Sequence, residues 1–272
     1  MPNLPDTTAI DTEFSSGWLT LWFNQPESRN AFTSELTADL VSILKAVRDD
    51  REVRGITIRG RGGIFCAGGD LKSFKSSHQA SDAPDAQEKI IEMSKGGAEM
   101  FDLVNTMPQV VVVLIEGAAM AGGFGLACCA DVVIAHKEAR FAFSETAIGL
   151  SPAQISPFVI QRLGYSTARR LMLTAARFNG QEAKSLGFAD FIGDSVDLLE
   201  TYETRIREQV LRCAPGAVAD TKALILQLPS LNREETVQAA AENFAGRMMS
   251  DEGREGVASF VEKRKPDWVV KP

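Results

Sequence analysis

The segment Val110-Val-Val-Val-Leu-Ile-Glu-Gly-Ala-Ala-Met-Ala-Gly-Gly-Phe-Gly125 decides the fold. Its first six residues form an uninterrupted apolar run, which is typical of a parallel strand buried on both faces of a sheet. The glycines that follow predict a turn, and the residues through Cys129 predict a helix. A buried strand, a glycine turn and a helix in this order indicate an α/β fold that carries its chemistry on loops.

The flanking segments predict elements of the same kind. Residues 17–23 alternate small or polar with large apolar side chains, as a strand does, and residues 53–59 predict the next strand. Between them, Thr33 can cap an amphipathic helix. Because a helix joins the two strands, we expect parallel pairing. Residues 131–135 and 140–143 predict two shorter strands. The apolar face of the predicted helix consists of Leu36, Leu40, Ile43, Leu44 and Val47.

The pattern changes to helices alone after about Asp194. One helical face in this tail carries Val237, Ala241, Phe244 and Met248, and such a stripe is usually buried in a core. We therefore expect a core over residues 1–194 and a helical region over residues 195–272. Residues 76–87, which are rich in Ser, Asp, Ala and Pro, predict a mobile loop.

Composition excludes several classes of protein. The 272 residues are 44% apolar and 24% charged, which is ordinary for a globular chain. A formal net charge of −7 predicts no basic surface for nucleic acid or for an anionic membrane. The apolar run at 110–115 is far shorter than the roughly 20 residues of a membrane span. With no basic and apolar leader at the N-terminus, we expect a soluble cytoplasmic protein.

The cysteines and histidines predict no metal site. The four cysteines form no CxxC pair, and neither His78 nor His136 lies near a cysteine at ligand spacing. Cys66, Cys128 and Cys129 lie in apolar runs, so they are expected to be small buried residues. The motifs GxxxxGK[ST], GxGxxG after a strand, HExxH and GxSxG are also absent from the sequence, so nucleotide, dinucleotide, zinc-protease and α/β-hydrolase chemistry lack their usual signatures.

Two glycine-rich turns, at residues 62–72 and 117–125, stand at the ends of predicted strands. Each could present free backbone N–H groups, which stabilise a bound phosphate or an oxyanion that develops during a reaction. For either turn taken alone, tight packing or a turn that needs a positive φ is the favoured explanation.

Together the turns resemble a known family. The sequence Phe65-Cys-Ala-Gly-Gly-Asp-Leu-Lys72 is similar to the FxAGxD[IL]K segment of the crotonase family, the enoyl-CoA hydratases and isomerases. Residues 117–125 resemble that family's second oxyanion turn. Residues 26–31, 141–150 and 260–264 resemble three further motifs, P-x-x-x-N-A, F-x-x-x-E-x-x-x-G and F-x-E-K-R, in the family's order. The resemblance implies a crotonase-type ββα spiral core with a C-terminal helical trimerisation region.

The same resemblance implies the catalytic groups. The family's two oxyanion-hole N–H groups, which bind the thioester oxygen of an acyl-CoA, correspond to Gly69 and Gly122. One catalytic glutamate corresponds to Glu145, but the position of the other holds Gly125, where this chain has no acid. A hydratase that uses Glu145 alone, a Δ3,Δ2-enoyl-CoA isomerase and a non-catalytic acyl-CoA-binding homologue therefore all remain open.

A narrower resemblance favours the hydratase. Residues 123–126, 149–158 and 251–256 are similar to the branch that contains 3-methylglutaconyl-CoA and isohexenylglutaconyl-CoA hydratases. The expected substrate is a 3-branched glutaconyl-CoA. On this interpretation Gly125 leaves room for the branch and removes a carboxylate that would repel the second carboxylate of the substrate.

Coenzyme A is expected as the handle of the substrate, and no separate cofactor is expected. The family's contacts with this handle correspond to residues near the first turn. A neighbouring subunit's tail covers the adenine in the family, so we expect a homotrimer or a dimer of trimers. The expected coenzyme A contacts near the first turn are Arg29, Ala31, Ala67, Asp70, Leu71 and Lys72. The expected contacts from the neighbouring subunit's tail are Phe260 and Lys263.

Overall fold

The computed structural model describes residues 2–70 and 85–270. In chain order its strands are β1 (Ile10–Ser15), β2 (Trp18–Phe23), β3 (Gly55–Gly60), β4 (Val110–Ile115), β5 (Ala118–Met120), β6 (Val132–His136), β7 (Arg140–Ala142), β8 (Arg177–Asn179) and β9 (Phe191–Gly193). Its α-helices are α1 (Ser34–Val47), α2 (Ala86–Asn105), α3 (Gly122–Cys128), α4 (Ser156–Thr174), α5 (Gly180–Ser185), α6 (Val196–Val210), α7 (Pro215–Gln227), α8 (Arg233–Met249) and α9 (Asp251–Val261).

Strand β4 lies inside the main sheet, as its apolar run predicts. Among the described residues this sheet has the order β1-β2-β3-β4-β6-β9, and β4 pairs in parallel with both β3 and β6. Val111 and Val113 face the larger core, whereas Val112 and Leu114 face a second cluster that includes Leu199 of α6. Both faces of the strand are covered, which is why the run contains no polar residue.

Helix α1 forms as predicted. The Thr33 hydroxyl accepts a hydrogen bond from the N–H of Leu36 at 3.1 Å and so caps the first turn. The apolar positions recur every three or four residues and are buried in the larger core. The helix connects β2 to β3, which pair in parallel as expected.

Strand β1 was not predicted. It pairs antiparallel with β2 through a turn at Ser16 and Gly17, both of which have positive φ, as in a type I′ hairpin. The strand lies at the edge of the sheet, and several of its residues are only half-buried. Its apolar pattern is therefore weaker than that of the central strands.

A small second sheet positions the glycine turn after β4. Strands β5 and β7 pair in parallel, and β8 adds antiparallel to β7. Because parallel strands end at the same edge of a sheet, the residues that follow β5 and β7 come close together. Those residues begin α3 on one side and lead to Glu145 on the other.

Beyond Asp194 the elements of the described chain are helices, as expected, and α6 covers the outer face of the main sheet. We expected the apolar stripe on α8 to be buried in the core of the chain, and this expectation is wrong. Val237, Phe244 and Met248 are exposed, because nothing in the described part of the chain covers this face. Periodicity shows that a helix has an apolar face but not what covers it.

The predicted loop at 76–87 lies at the limit of the described residues. Most of the predicted loop at 76–87, including His78, lies outside them, while Ala86 and Gln87 begin α2. Within the residues the structure describes, no helix has the length and apolarity that crossing a bilayer requires.

Candidate active site

The two glycine turns lie against each other. The N–H of Met120 donates to the carbonyl of Cys66 at 2.9 Å, and Cys66 and Ala119 form a parallel bridge. A Cβ added to Gly68 would lie 2.8 Å from the Cβ of Ala121 and 3.2 Å from the backbone nitrogen of Gly122. With φ at +95°, this position also favours glycine. The glycines thus allow an approach that side chains would prevent.

The N–H of Gly69 is oriented by a hydrogen bond to the carbonyl oxygen of the same peptide group, which belongs to Gly68. The carbonyl of Gly68 accepts a hydrogen bond from the N–H of Phe32 at 2.8 Å. In a trans peptide the C=O and N–H point in opposite directions, so this bond turns the N–H of Gly69 away from Phe32. Such a bond also polarises the peptide and strengthens its N–H as a donor.

The N–H of Gly122 is oriented in the same way. The carbonyl of Ala121 accepts from the N–H of Gly125 at 3.0 Å, and the N–H of Ala121 donates to Ala142 at 2.8 Å. Ala121 has φ 49° and ψ −123°, an unfavourable conformation for a residue with a side chain. The strained residue stands directly before Gly122 and sets the direction of the next peptide.

Neither of these two N–H groups donates to another residue in the described part of the chain. Buried or half-buried N–H groups are normally paired. Two unpaired donors on adjacent turns can instead bind one oxygen atom and stabilise negative charge on it. The structure therefore brings Gly69 and Gly122 together as the sequence predicts for an oxyanion hole.

Glu145 lies three residues beyond β7, at the same sheet edge as Gly122. An aromatic contact fixes the two segments relative to each other, because the rings of Phe124 and Phe143 are 4.6 Å apart. The Oε2 atom of Glu145 is buried and has no hydrogen-bond partner among the described residues. Burial raises the pKa of this carboxyl above its ordinary value. These are the properties of a general acid or base.

Two other carboxylates, Glu116 before the second turn and Asp131 at the start of β6, have structural partners. Glu116 forms an ion pair with Arg59 at 2.6 Å. Asp131 accepts a hydrogen bond from the N–H of Val111 at 2.7 Å and pairs with Lys222 at 2.5 Å. Asp131 therefore stabilises the start of a strand, and of these three carboxylates Glu145 is the candidate acid or base.

The prediction that Gly125 leaves room for a substrate branch is wrong. A Cβ on Gly125 would lie 2.2 Å from Cγ2 of Ile155, which is itself almost fully buried just before α4. The space beside Gly125 is therefore filled by an aliphatic side chain. Gly125 is a packing glycine between α3 and α4, and no acid stands there.

We expect Gly125→Ala to lower the free energy of unfolding by about 1–3 kcal/mol, the usual cost of overpacking a core. The added methyl group collides with Ile155. In an Ile155→Gly background the same substitution should cost less, since Cβ, Cγ2 and Cδ1 of Ile155 are all gone. Urea unfolding of the four proteins in this cycle measures the coupling. Equal costs in both backgrounds would contradict the assigned contact.

Comparison with known proteins agrees with this geometry. The sequence model of the enoyl-CoA hydratase/isomerase family matches residues 13–271. The chain belongs to this family. It is 31% identical over 246 residues to a Thermus thermophilus protein named as an enoyl-CoA hydratase, over 90% of this chain and 95% of the relative.

Two structures show that the crotonase fold is shared along the chain. Pseudomonas aeruginosa AtuE is 42% identical with a TM-score of 0.90, over 96% of this chain and 100% of that one. An enoyl-CoA hydratase/isomerase from Marinobacter aquaeolei is 36% identical with a TM-score of 0.91, over 96% and 99%. The chain is thus an enzyme of acyl-CoA metabolism, and its relatives named as enoyl-CoA hydratases support a hydratase.

Several residues expected to bind coenzyme A surround the first oxyanion turn. The N–H of Ala67 donates to the carbonyl of Arg29 at 3.0 Å, and Ala31 follows in the same loop. Asp70 comes directly after Gly69 and is half-buried. The other two expected contacts, Leu71 and Lys72, lie outside the described residues.

Phe260 and Lys263 do not join this group within one chain. Helix α9 packs on α8, and the Phe260 side chain at its end is 85% exposed. Lys263 is also exposed and has φ 56° just beyond the helix. Both residues therefore lie at the surface of the single chain, away from the glycine turns.

The buried cysteines, the possible metal ligands and the cavity in the described chain add no further group to this candidate site. Cys66, Cys128 and Cys129 are buried as predicted, and burial raises the pKa of the Cys66 thiol to about 12. Within residues 2–70 and 85–270, no group of three or more His, Cys, Asp or Glu side chains is arranged to hold a metal ion. A cavity of about 690 Å³ involves Val110 and Asp131, at the opposite sheet edge from Glu145.

Sequence reasoning missed two residues at this site. Ile155 packs against Gly125 although it lies 30 residues later in the sequence, and no sequence signal identifies that contact. Asn30 is fully buried beneath the first turn. Its place in the P-x-x-x-N-A segment was a signal that could have found it.

Proposed function

We propose that this protein is an enoyl-CoA hydratase that adds water across the 2,3 double bond of a 3-branched glutaconyl-type CoA thioester, such as isohexenylglutaconyl-CoA or 3-methylglutaconyl-CoA. One observation carries the proposal. The unpaired N–H groups of Gly69 and Gly122 lie on adjacent turns, and Glu145 with its unpartnered Oε2 atom lies at the same sheet edge.

The reaction needs stabilisation of an enolate. The thioester oxygen accepts hydrogen bonds from Gly69 and Gly122. Glu145 takes a proton from water, the water oxygen bonds to C3, and the electrons of the double bond move onto the thioester oxygen. The proton on Glu145 then passes to C2, and the carbonyl re-forms. One oxyanion-hole donor is worth about 3–4 kcal/mol in other enzymes.

The substrate class rests on sequence. Residues 123–126, 149–158 and 251–256 resemble the glutaconyl-CoA hydratase branch. Because Ile155 packs against Gly125, this position supplies neither a second carboxylate nor space for the substrate, so the resemblance alone supports a branched substrate.

A comparison of kcat/KM for 3-methylglutaconyl-CoA, isohexenylglutaconyl-CoA and crotonyl-CoA tests the proposal. Hydration removes the conjugation of the enoyl thioester, so its absorbance band should fall, and fastest with a branched substrate. A preference for crotonyl-CoA would contradict the branched substrate but leave the hydratase activity standing.

A Δ3,Δ2-enoyl-CoA isomerase is the second candidate, because one carboxylate suffices to move a proton from C2 to C4. The same absorbance distinguishes the two reactions. An isomerase creates conjugation from a 3-enoyl-CoA, and the band rises. A non-catalytic acyl-CoA-binding protein changes the band in neither direction.

The proposal includes assembly into a trimer or a dimer of trimers in which Phe260 and Lys263 complete a neighbour's CoA site. The exposure of Phe260 and of the apolar stripe on α8 supports this arrangement. Truncation before Asp251 should weaken assembly and CoA binding together, but it also removes the contact of the Trp268 carbonyl with Arg54. A point substitution is therefore the sharper test.

We expect Phe260→Ser to lower CoA-thioester affinity about 10-fold, the size of a moderate hot spot, with little effect on the monomer fold because this ring is largely exposed. Leu173→Ser, at an exposed apolar position on α4, is the control. Calorimetric titration and light scattering measure both proteins. A fully active monomer, or equal effects of the two substitutions, would contradict the role of the tail.

A further inference from the structure

We propose that Asn30 is a positioning residue whose buried side chain sets the direction of the Gly69 N–H, an inference that rests on the proposed oxyanion chemistry. Asn30 is completely buried, and its side chain lies behind the first turn. It therefore acts through the backbone of the turn and not by touching the substrate.

The side-chain amide of Asn30 connects two segments of the chain. Its Nδ2 atom donates to the carbonyl of Arg61 at 3.0 Å and to that of Ile64 at 2.7 Å. Its Oδ1 atom accepts from the N–H of Gln25 at 2.9 Å. Both amide donors and the acceptor are in use. Asn30 thus joins the loop after β2 to the segment that leads into the first oxyanion turn.

The backbone at this point explains why asparagine suits the position. Arg29 and Asn30 have φ values of 57° and 53°, and two consecutive left-handed residues reverse the chain sharply. Asparagine tolerates this conformation better than most residues with a side chain. The reversal sends the loop along the first turn, where Phe32 reaches Gly68.

The loop then holds the oxyanion peptide on two sides. The carbonyl of Arg29 accepts from Ala67 at 3.0 Å, and the N–H of Phe32 donates to Gly68 at 2.8 Å. Because Gly68 O and Gly69 N belong to one rigid peptide, a shift of Phe32 rotates the Gly69 N–H. If the two Nδ2 hydrogen bonds of Asn30 are lost, the loop can move relative to residues 61–69. The donor then leaves its position at the thioester oxygen.

Asn30→Asp tests this inference, because aspartate keeps the shape of the side chain but lacks the NH₂ group. Gln109→Glu is the matched control. Gln109 is also a buried amide, and its Nε2 atom donates to the carbonyls of Val47 at 2.7 Å and Asp50 at 3.1 Å. It precedes β4, at the opposite edge of the sheet from the glycine turns. Both substitutions remove buried hydrogen bonds, but only one should affect the oxyanion hole.

For Asn30→Asp we expect kcat to fall about 100-fold, as misplacement of a reacting group by about 1 Å can do, with a small change in KM. The absorption band of a bound enoyl-CoA, which an oxyanion hole shifts to longer wavelength, should move back toward its position in free solution. Gln109→Glu should keep kcat and the band position of the wild type at a comparable loss of thermal stability.

Asn30→Gly provides a second variant if the aspartate protein does not fold, since glycine accepts the left-handed backbone without strain. A folded Asn30 variant with wild-type kcat and band position would overturn the inference, as would an equal loss of kcat in Gln109→Glu. The shift of the absorption band requires only that enoyl-CoA binds, and it can be measured without turnover. A wild type that shifts the band but does not hydrate would contradict the proposed function, while the comparison of the variants would still decide the role of Asn30.

Discussion

Replacement of Glu145 by glutamine is expected to lower kcat by a factor of about 10² to 10⁴, the usual contribution of a positioned acid or base. Glutamine keeps the size and polarity of the side chain but cannot accept the proton of water. The affinity for acyl-CoA should change little, because the proposed oxyanion donors at Gly69 and Gly122 are backbone groups. Steady-state hydration kinetics and equilibrium binding of the product thioester measure the two effects separately.

The raised pKa of Glu145 supplies the control for folding. The folded protein binds this proton more tightly than the unfolded chain, so ionisation of Glu145 lowers stability as pH rises from the unfolded pKa through the folded one. Glu145→Gln should therefore be at least as stable as the wild type at neutral pH. Wild-type kcat/KM for hydration should rise with pH through the same raised pKa.

A matched substitution distinguishes the site from a general loss of charge. Glu138 lies exposed in the turn between β6 and β7, and Glu138→Gln should leave turnover unchanged. Near-normal turnover in Glu145→Gln would remove this carboxylate from the mechanism.

Gly122→Pro is expected to lower kcat by about 10² to 10³, the range for loss of one oxyanion-hole donor. Gly122 is the first residue of α3, and proline is well tolerated at this helix position because the N–H there has no partner in the helix. The substitution thus removes the proposed donor, and because proline also restricts the residue before it, a thermal melt of the variant checks that the turn at Ala121 is kept. Steady-state kinetics and the band position of bound enoyl-CoA measure the loss.

Gly122→Ala controls for the added side chain. In both variants a Cβ lies about 3.3 Å from the ring of Phe32, but alanine retains the N–H. We expect the alanine protein to keep most of its activity. If the alanine and proline variants lose kcat equally, the contact with Phe32 and not the N–H explains the effect.

The core of the fold could be predicted because its signals are local. The apolar run of β4, the cap and periodicity of α1 and the two glycine turns each depend on neighbours in the sequence. Strand β1 escaped prediction because an edge strand buries little of its surface. The stripe on α8 was assigned to a core, since a single chain does not reveal which surface covers an apolar face.

The candidate site was located through its motifs, and its surroundings were not. Gly69, Gly122 and Glu145 lie in segments that resemble the family; the structure places the first glycine turn against the second, and Glu145 at the same sheet edge as Gly122. Ile155 fills the space beside Gly125 through a contact that depends on how α3 and α4 pack. Motif comparison identifies a missing acid, but it does not show what replaces it.

The unpaired amides of the proposed oxyanion hole should give it a distinct hydrogen-exchange signature. Phe32, Met120 and Ala121 donate their N–H groups within the protein, so their amide protons should exchange slowly with deuterium. The amide protons of Gly69 and Gly122 have no acceptor in the described chain and should exchange quickly. A bound thioester oxygen accepts a hydrogen bond from each of these two N–H groups and so slows the exchange of both amide protons. Occupancy of the hole can thus be followed without turnover, through two labile protons in an otherwise protected segment.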